Sequence, residues 1–98
     1  MIVTVIVTRH QGLVEWLAGQ GITGTVIVQA TADDVRGKNV IGALPLHLAA
    51  LAARITVVDM PGLTVAQRGV DLTPAEMNAA GAHLSTYIVR SAEMVQTW

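Results

Sequence analysis

The chain alternates between short, nearly unbroken apolar runs and mixed segments whose apolar positions fall three and four apart. "IVTVIVT" (2–8) and "TVIVQA" (25–30) are β-branched and almost continuous, the pattern of strands buried on both faces. "NVIGA" (39–43) and "ITVVDM" (55–60) predict two more strands. Between the first two, "GLVEWLAGQ" (12–20) sets Leu13, Trp16, Leu17 and Gln20 at helical spacing, and Gly21 can stop that helix in the left-handed conformation. "TADDVRGK" (31–38) is polar and turn-like, with room for one helical turn. "LPLHLAALAAR" (44–54) predicts a helix that is apolar almost all round, as suits a buried or interfacial one. After the irregular stretch "PGLTVAQRGVDL" (61–72), Thr73, Pro74 and Glu76 supply an N-cap, a first-turn proline and a capping-box partner. Met77, Ala80, Leu84, Ile88 and Val95 continue a helical stripe from there towards the C-terminus.

Strand and helix in alternation, with strands that lack a polar face, predict a compact Rossmann-like α/β domain. Its sheet is mostly parallel, helices cover both faces, and residues 1–98 form one domain. Ligands of such sheets bind at the carboxyl ends of the strands. Thr8-Arg9-His10 leaves the first strand at that edge, and Gly42-Ala43-Leu44-Pro45 and Asp59-Met60 follow the ends of two others.

Composition adds a partner to this picture. The chain is 52% hydrophobic and only 13% charged, against roughly 25% charged in average domains. A chain this small has too few charges to cover its surface, so a homodimer that buries part of the apolar excess is expected. With a net charge of −1, no broad basic face exists to grip duplex nucleic acid, and any anion is held locally. The lack of cysteine excludes thiolate nucleophiles, zinc–thiolate sites and disulfides. No window of about 20 uncharged apolar residues predicts a membrane span. "MIVTVIV" carries no positive charge ahead of its apolar run, so a signal peptide is not expected either, and the expected setting is the cytoplasm.

"GQGITG" (19–24) spells the dinucleotide-binding pattern G-x-G-x-x-G, but it follows a helix and opens a strand, the reverse of what that fingerprint requires. Its glycines read as a helix stop and a turn. "TRHQG" is the stronger signal. Arg9 can fork onto phosphate oxygens, His10 can donate to an anion or move a proton, and the helix beginning at Gln11-Gly12 adds N–H groups and a positive dipole end. The plainer alternative makes Arg9 an ion-pair partner and His10 a turn residue. His47, early in the second helix, is either a ligand or a packing histidine. Arg68 is a second candidate phosphate contact or a surface arginine. Asp59 can act as a base or an orienting partner, Trp16 belongs to the core by its spacing, and His83 reads as structural or solvent-facing.

Two resemblances bear on these residues. The Arg-His-Gly motif of the histidine phosphatases is only approximated, because Gln11 separates His10 from Gly12 and those domains are much longer. By contrast "VTRHQGLVEWLAGQGI", "VIGALPLHLAALAAR" and "RGVDLTPAEM", in this order and spacing, resemble a small CRISPR-associated family of type III systems. That family is related to the Rossmann-like domains that sense cyclic oligoadenylate. It is associated with ring nuclease activity, the cleavage of cyclic oligoadenylate, typically cyclic tetra-adenylate, that switches off antiviral signalling.

The resemblance implies a reaction without metal or cofactor, in which the ribose 2′-OH attacks the adjacent phosphate and leaves a 2′,3′-cyclic phosphate. On that reading Arg9 clamps the scissile phosphate, and His10 donates to it or protonates the leaving 5′-oxygen. Thr8, Gln11 and Gly12 complete the first strand end, Gly42, Leu44 and Pro45 shape the pocket floor, and His47 and Arg68 make further contacts. Two other readings stay open: a domain that binds the ring without cutting it, and a structural α/β dimer with no small ligand.

Overall fold

The computed structural model describes residues 3–92. Five strands form one sheet in the order β2-β1-β3-β4-β5. β1 (Thr4–Val7), β2 (Thr25–Ile27), β3 (Asn39–Gly42) and β4 (Arg54–Asp59) are parallel, and β5 (His83–Tyr87) closes one edge antiparallel to β4. The chain steps from β1 outward to β2, then crosses back over β1 to β3 and continues to β4. β1 and β3 are therefore neighbours at which the direction of winding reverses, the topological switch point of a doubly wound sheet. The sequence expectation of a mostly parallel α/β domain with helices on both faces holds.

Each face has its own core. On one side Ile6 of β1 and Ile41 of β3 meet Trp16 and Leu17 of α1 (Gln11–Gly19) and Met77 of α4 (Pro74–Ala79). Leu17 is fully buried, which contributes about 1.5–3 kcal/mol. The indole N–H of Trp16 donates to Asn78 Oδ1 at 2.8 Å, so the one polar atom of this core side chain is satisfied and α1 is tied to α4. On the other side Val40 packs with Val35 of α2 (Ala32–Val35) and Ala52, bordered by Leu48 of α3 (Leu46–Ala49). The single turn α2 survives because of its cap. Asp34 Oδ2 accepts from the backbone N–H of Thr31 at 2.8 Å and from its hydroxyl at 2.9 Å, and these bonds hold the Asp34 carboxyl below the usual aspartate range.

Three expectations change. The helix expected over 44–54 shrinks to Leu46–Ala49. Beyond it, Ala53 N–H donates to the Lys38 carbonyl and the Leu51 carbonyl accepts from Gly37 N–H, bonds to a neighbouring loop that a continuing helix would forbid. The last helix begins as expected, with Thr73 Oγ1 accepting from Glu76 N–H at 3.2 Å, but ends at Ala79. Gly81, at φ +78°, turns the chain back, and Ala82 N–H closes onto the Met77 carbonyl. Residues 83–87 then form β5, so His83 stands on an edge strand and not within a helix. Val95 lies outside the described residues. The strand expected over 25–30 is not buried. β2 stops at Ile27 and forms a sheet edge, so only one neighbouring strand covers it, and Val26 and Val28 stay exposed. The described part of the first strand runs from Thr4 to Val7.

The glycines of "GQGITG" do what the strand–helix order required of them. Gly21 has φ +80°, and a Cβ on Gly24 would lie 2.6 Å from the Thr4 carbonyl oxygen. They make a helix stop and a close backbone approach, not a phosphate cradle. Among the described residues no helix is long and apolar enough to cross a membrane.

Candidate functional site

The chain leaves β1 at Thr8, whose N–H donates to the Ile27 carbonyl of β2 at 3.0 Å. Thr8 Oγ1 then accepts from His10 N–H at 3.0 Å, a local turn that fixes Arg9 and His10 at the strand end. His10 is the N-cap residue of α1 in extended conformation, yet its side chain makes no cap bond to the helix. The imidazole is thus available for other partners. It finds one in Asp71, whose Oδ1 lies against His10 Nδ1 from the loop ahead of α4. Both side chains are largely exposed, 51% for His10 and 68% for Asp71.

Beside this pair lies a cleft of about 450 Å³ at the carboxyl ends of β1, β3 and β4, within the size range of small-molecule sites. Val7, Leu13, Val58, Met60, Leu72 and Met77 make its walls chiefly apolar. Thr8, Arg9, His10 and Gln67 bring the polar side chains. Gly42 forms part of the wall between β1 and β3. Its φ is +130°, and a Cβ there would lie 2.2 Å from the Val7 carbonyl oxygen. Only glycine lets the backbone pass at this point.

Of the residues singled out in the sequence, Thr8, Arg9, His10 and Gly42 come together around this cleft. Gln11, Gly12, Leu44, Pro45, His47 and Arg68 do not line it. Gly12 is buried, and a Cβ there would overlap the Leu72 carbonyl oxygen, so its small size lets α1 dock on the loop that carries Asp71. Leu44 borders a second groove, described below, and Pro45, His47 and Arg68 are exposed. From that loop Leu63, Gln67, Gly69, Val70 and Leu72 reach the cleft, on both sides of Arg68 in the sequence.

Asp59 lies away from it, on the β4–β5 ladder, where its Oδ2 accepts from Ser85 Oγ at 2.5 Å with His83 Nε2 at 3.6 Å. Asp71 was missed. Its sequence neighbourhood "RGVDLTP" marks the approach to a helix, and nothing local shows that the carboxylate returns to residue 10. Among the described residues no group of three or more His, Asp or Glu side chains converges as a metal site would.

A second groove, about 400 Å³, lies between α3 and the strands β4 and β5. Leu46 and Ile88 line it at 76% and 70% exposure, together with Tyr87 at 53%. Ala43 and Val57 border both this groove and the cleft.

Fold and cleft together define a small doubly wound α/β domain with a strand-end pocket at its switch point. Over residues 5–90 the chain matches the family model described as "Putative CRISPR-associated protein (Cas_VVA1548)", and it belongs to that CRISPR-associated family. No curated protein sequence and no solved structure matches it.

Proposed function

We propose that this protein is a ring nuclease of type III CRISPR defence, which opens cyclic oligoadenylate and so ends the signal it carries. The reading rests on one observation: Arg9 and His10 stand together at the switch-point cleft, in front of walls that are chiefly apolar. Phosphate and adenine need those two surroundings side by side. The substrate supplies its own nucleophile, the ribose 2′-OH, and the protein has to align the backbone and stabilise charge on the pentavalent phosphorus. A guanidinium and an imidazole suffice for that chemistry without metal or cofactor.

Single-turnover incubation with labelled cyclic tetra-adenylate in EDTA tests the reading. Linear adenylates ending in 2′,3′-cyclic phosphate are expected from the wild type. Arg9→Ala is expected to weaken both binding and cleavage, since the guanidinium meets the phosphate in ground and transition state alike. An Arg9→Ala protein that cleaves at the normal rate ends the assignment. Intact ring that co-elutes with the protein makes it instead a domain that sequesters the messenger.

The working unit in this proposal is a homodimer formed across the second groove. Leu46, Tyr87 and Ile88 expose there the apolar surface that so weakly charged a chain cannot cover. Because Ala43 and Val57 border both groove and cleft, a second copy seated there sets the two clefts close together, as a two-fold-symmetric ring ligand requires. The wild type is expected to sediment as a dimer and Leu46→Asp/Ile88→Asp as a folded monomer. A wild type that sediments as a monomer at micromolar concentration contradicts the proposal.

A further inference from the structure

The His10–Asp71 contact joins points 61 residues apart in the chain. Its value to stability is small: for an exposed pair of this kind about 0–1 kcal/mol is usual. Its chemical effect is larger. An imidazole has two nitrogens, and in its neutral form only one carries a proton. A carboxylate on Nδ1 selects the tautomer protonated there and leaves Nε2 with a free lone pair, the nitrogen then presented to a ligand. In that neutral form the imidazole has an acceptor nitrogen for a proton.

Resting on the ring-nuclease reading, we infer that Asp71 is the positioning residue that makes His10 the general base of ring opening. His10 Nε2 takes the proton of the ribose 2′-OH while the 2′-oxygen forms its bond to the adjacent phosphorus. The bond from phosphorus to the 5′-oxygen breaks with its electron pair on that oxygen, which takes a proton from solvent. The imidazolium formed at His10 is stabilised by the Asp71 carboxylate and returns its proton to solvent, so charge and protons balance over one turnover. Arg9 meets the non-bridging phosphate oxygens. This gives His10 a different role from the acid suggested by the family resemblance, and the distinguishing group is Asp71.

Two substitutions and two readouts test the assignment. The first readout is the tautomer of His10, seen in long-range ¹H–¹⁵N correlation spectra at a pH where the imidazole is neutral. The wild type is expected to show the Nδ1–H form and Asp71→Asn the Nε2–H form. The second readout is cleavage of cyclic tetra-adenylate. Asp71→Asn is expected to lose about 10²-fold in single-turnover rate while ring affinity and melting temperature stay near wild type, and Asp71→Glu to recover part of the rate. An Asp71→Asn protein with the wild-type tautomer, or with a rate within about 3-fold of wild type, overturns the role of Asp71. A wild type that cuts no ring overturns the functional reading and the general-base step with it. The tautomer measurement, which needs no substrate, then decides on its own whether Asp71 orients His10.

Discussion

His10→Ala is expected to slow single-turnover opening of cyclic tetra-adenylate by about 10²-fold or more, with ring affinity largely kept. The size follows from what is removed. Proton transfer by a positioned side chain supplies about 10²–10⁴ in rate, and no other imidazole stands at this cleft: His47 lies outside it on α3 and His83 on β5. Affinity survives because the apolar walls and Arg9 remain, so the loss falls on the chemical step. Labelled ring with enzyme in excess, read beside equilibrium binding of the same ring, separates the two quantities. A His10→Ala protein that cleaves as the wild type does removes the imidazole from the mechanism. A protein that neither cleaves nor binds shows that His10 holds the ring as well as acting on it.

Gly42→Ala is expected to cost about 2–6 kcal/mol of stability. Two penalties add. A side chain at φ +130° forces the backbone into a region that costs about 1–3 kcal/mol. Its Cβ would also sit 2.2 Å from the Val7 carbonyl oxygen, an overlap relieved only by parting β1 from β3, at about 1–3 kcal/mol more. Total stabilities are only about 0.05–0.15 kcal/mol per residue, so thermal or urea denaturation will show a much weakened or unfolded protein. Gly19→Ala is the control: nothing lies within 4 Å of a Cβ there, and its melting temperature should equal or exceed that of wild type. Equal behaviour of the two variants means that the β1–β3 junction is not as tight as described.

The parallel core of the sheet was legible because its strands are apolar on both faces, and the Thr73-Pro74-Glu76 cap because its signal lies within four residues. β5 was not. Ala80, Leu84 and Ile88 are four apart, a spacing that fits one side of a helix and, as twice two, one face of a strand equally well. Gly81 was the sign that separated them. The short α3 was hidden for another reason: the residues after Ala49 have strong helix propensity, and what stops them is hydrogen bonding to residues 37–38, visible only once the two loops meet.

The site divides along the same line. Thr8, Arg9, His10 and Gly42 announce themselves at strand ends, where a doubly wound sheet places its ligands. Asp71 and the cleft-lining residues of the 61–72 loop depend on where that loop folds back. Gly12 stands in the anion-site motif of the sequence, and its burial against Leu72 ties its lack of a side chain to packing.

The two ties between α1 and the α4 region, His10 with Asp71 and Trp16 with Asn78, span 61 and 62 residues and clasp the pair of helices near both ends. Contacts of such separation close large loops, at an entropic cost that grows slowly with loop length. α4 has only six residues, too few to hold as a helix without its partner. Fraying of α4 therefore releases the Trp16–Asn78 clasp. Amide hydrogen exchange along residues 74–79 becomes a clock for how often that end of α1 loses its partner, while the exposed His10–Asp71 contact, outside the helix, can open on its own.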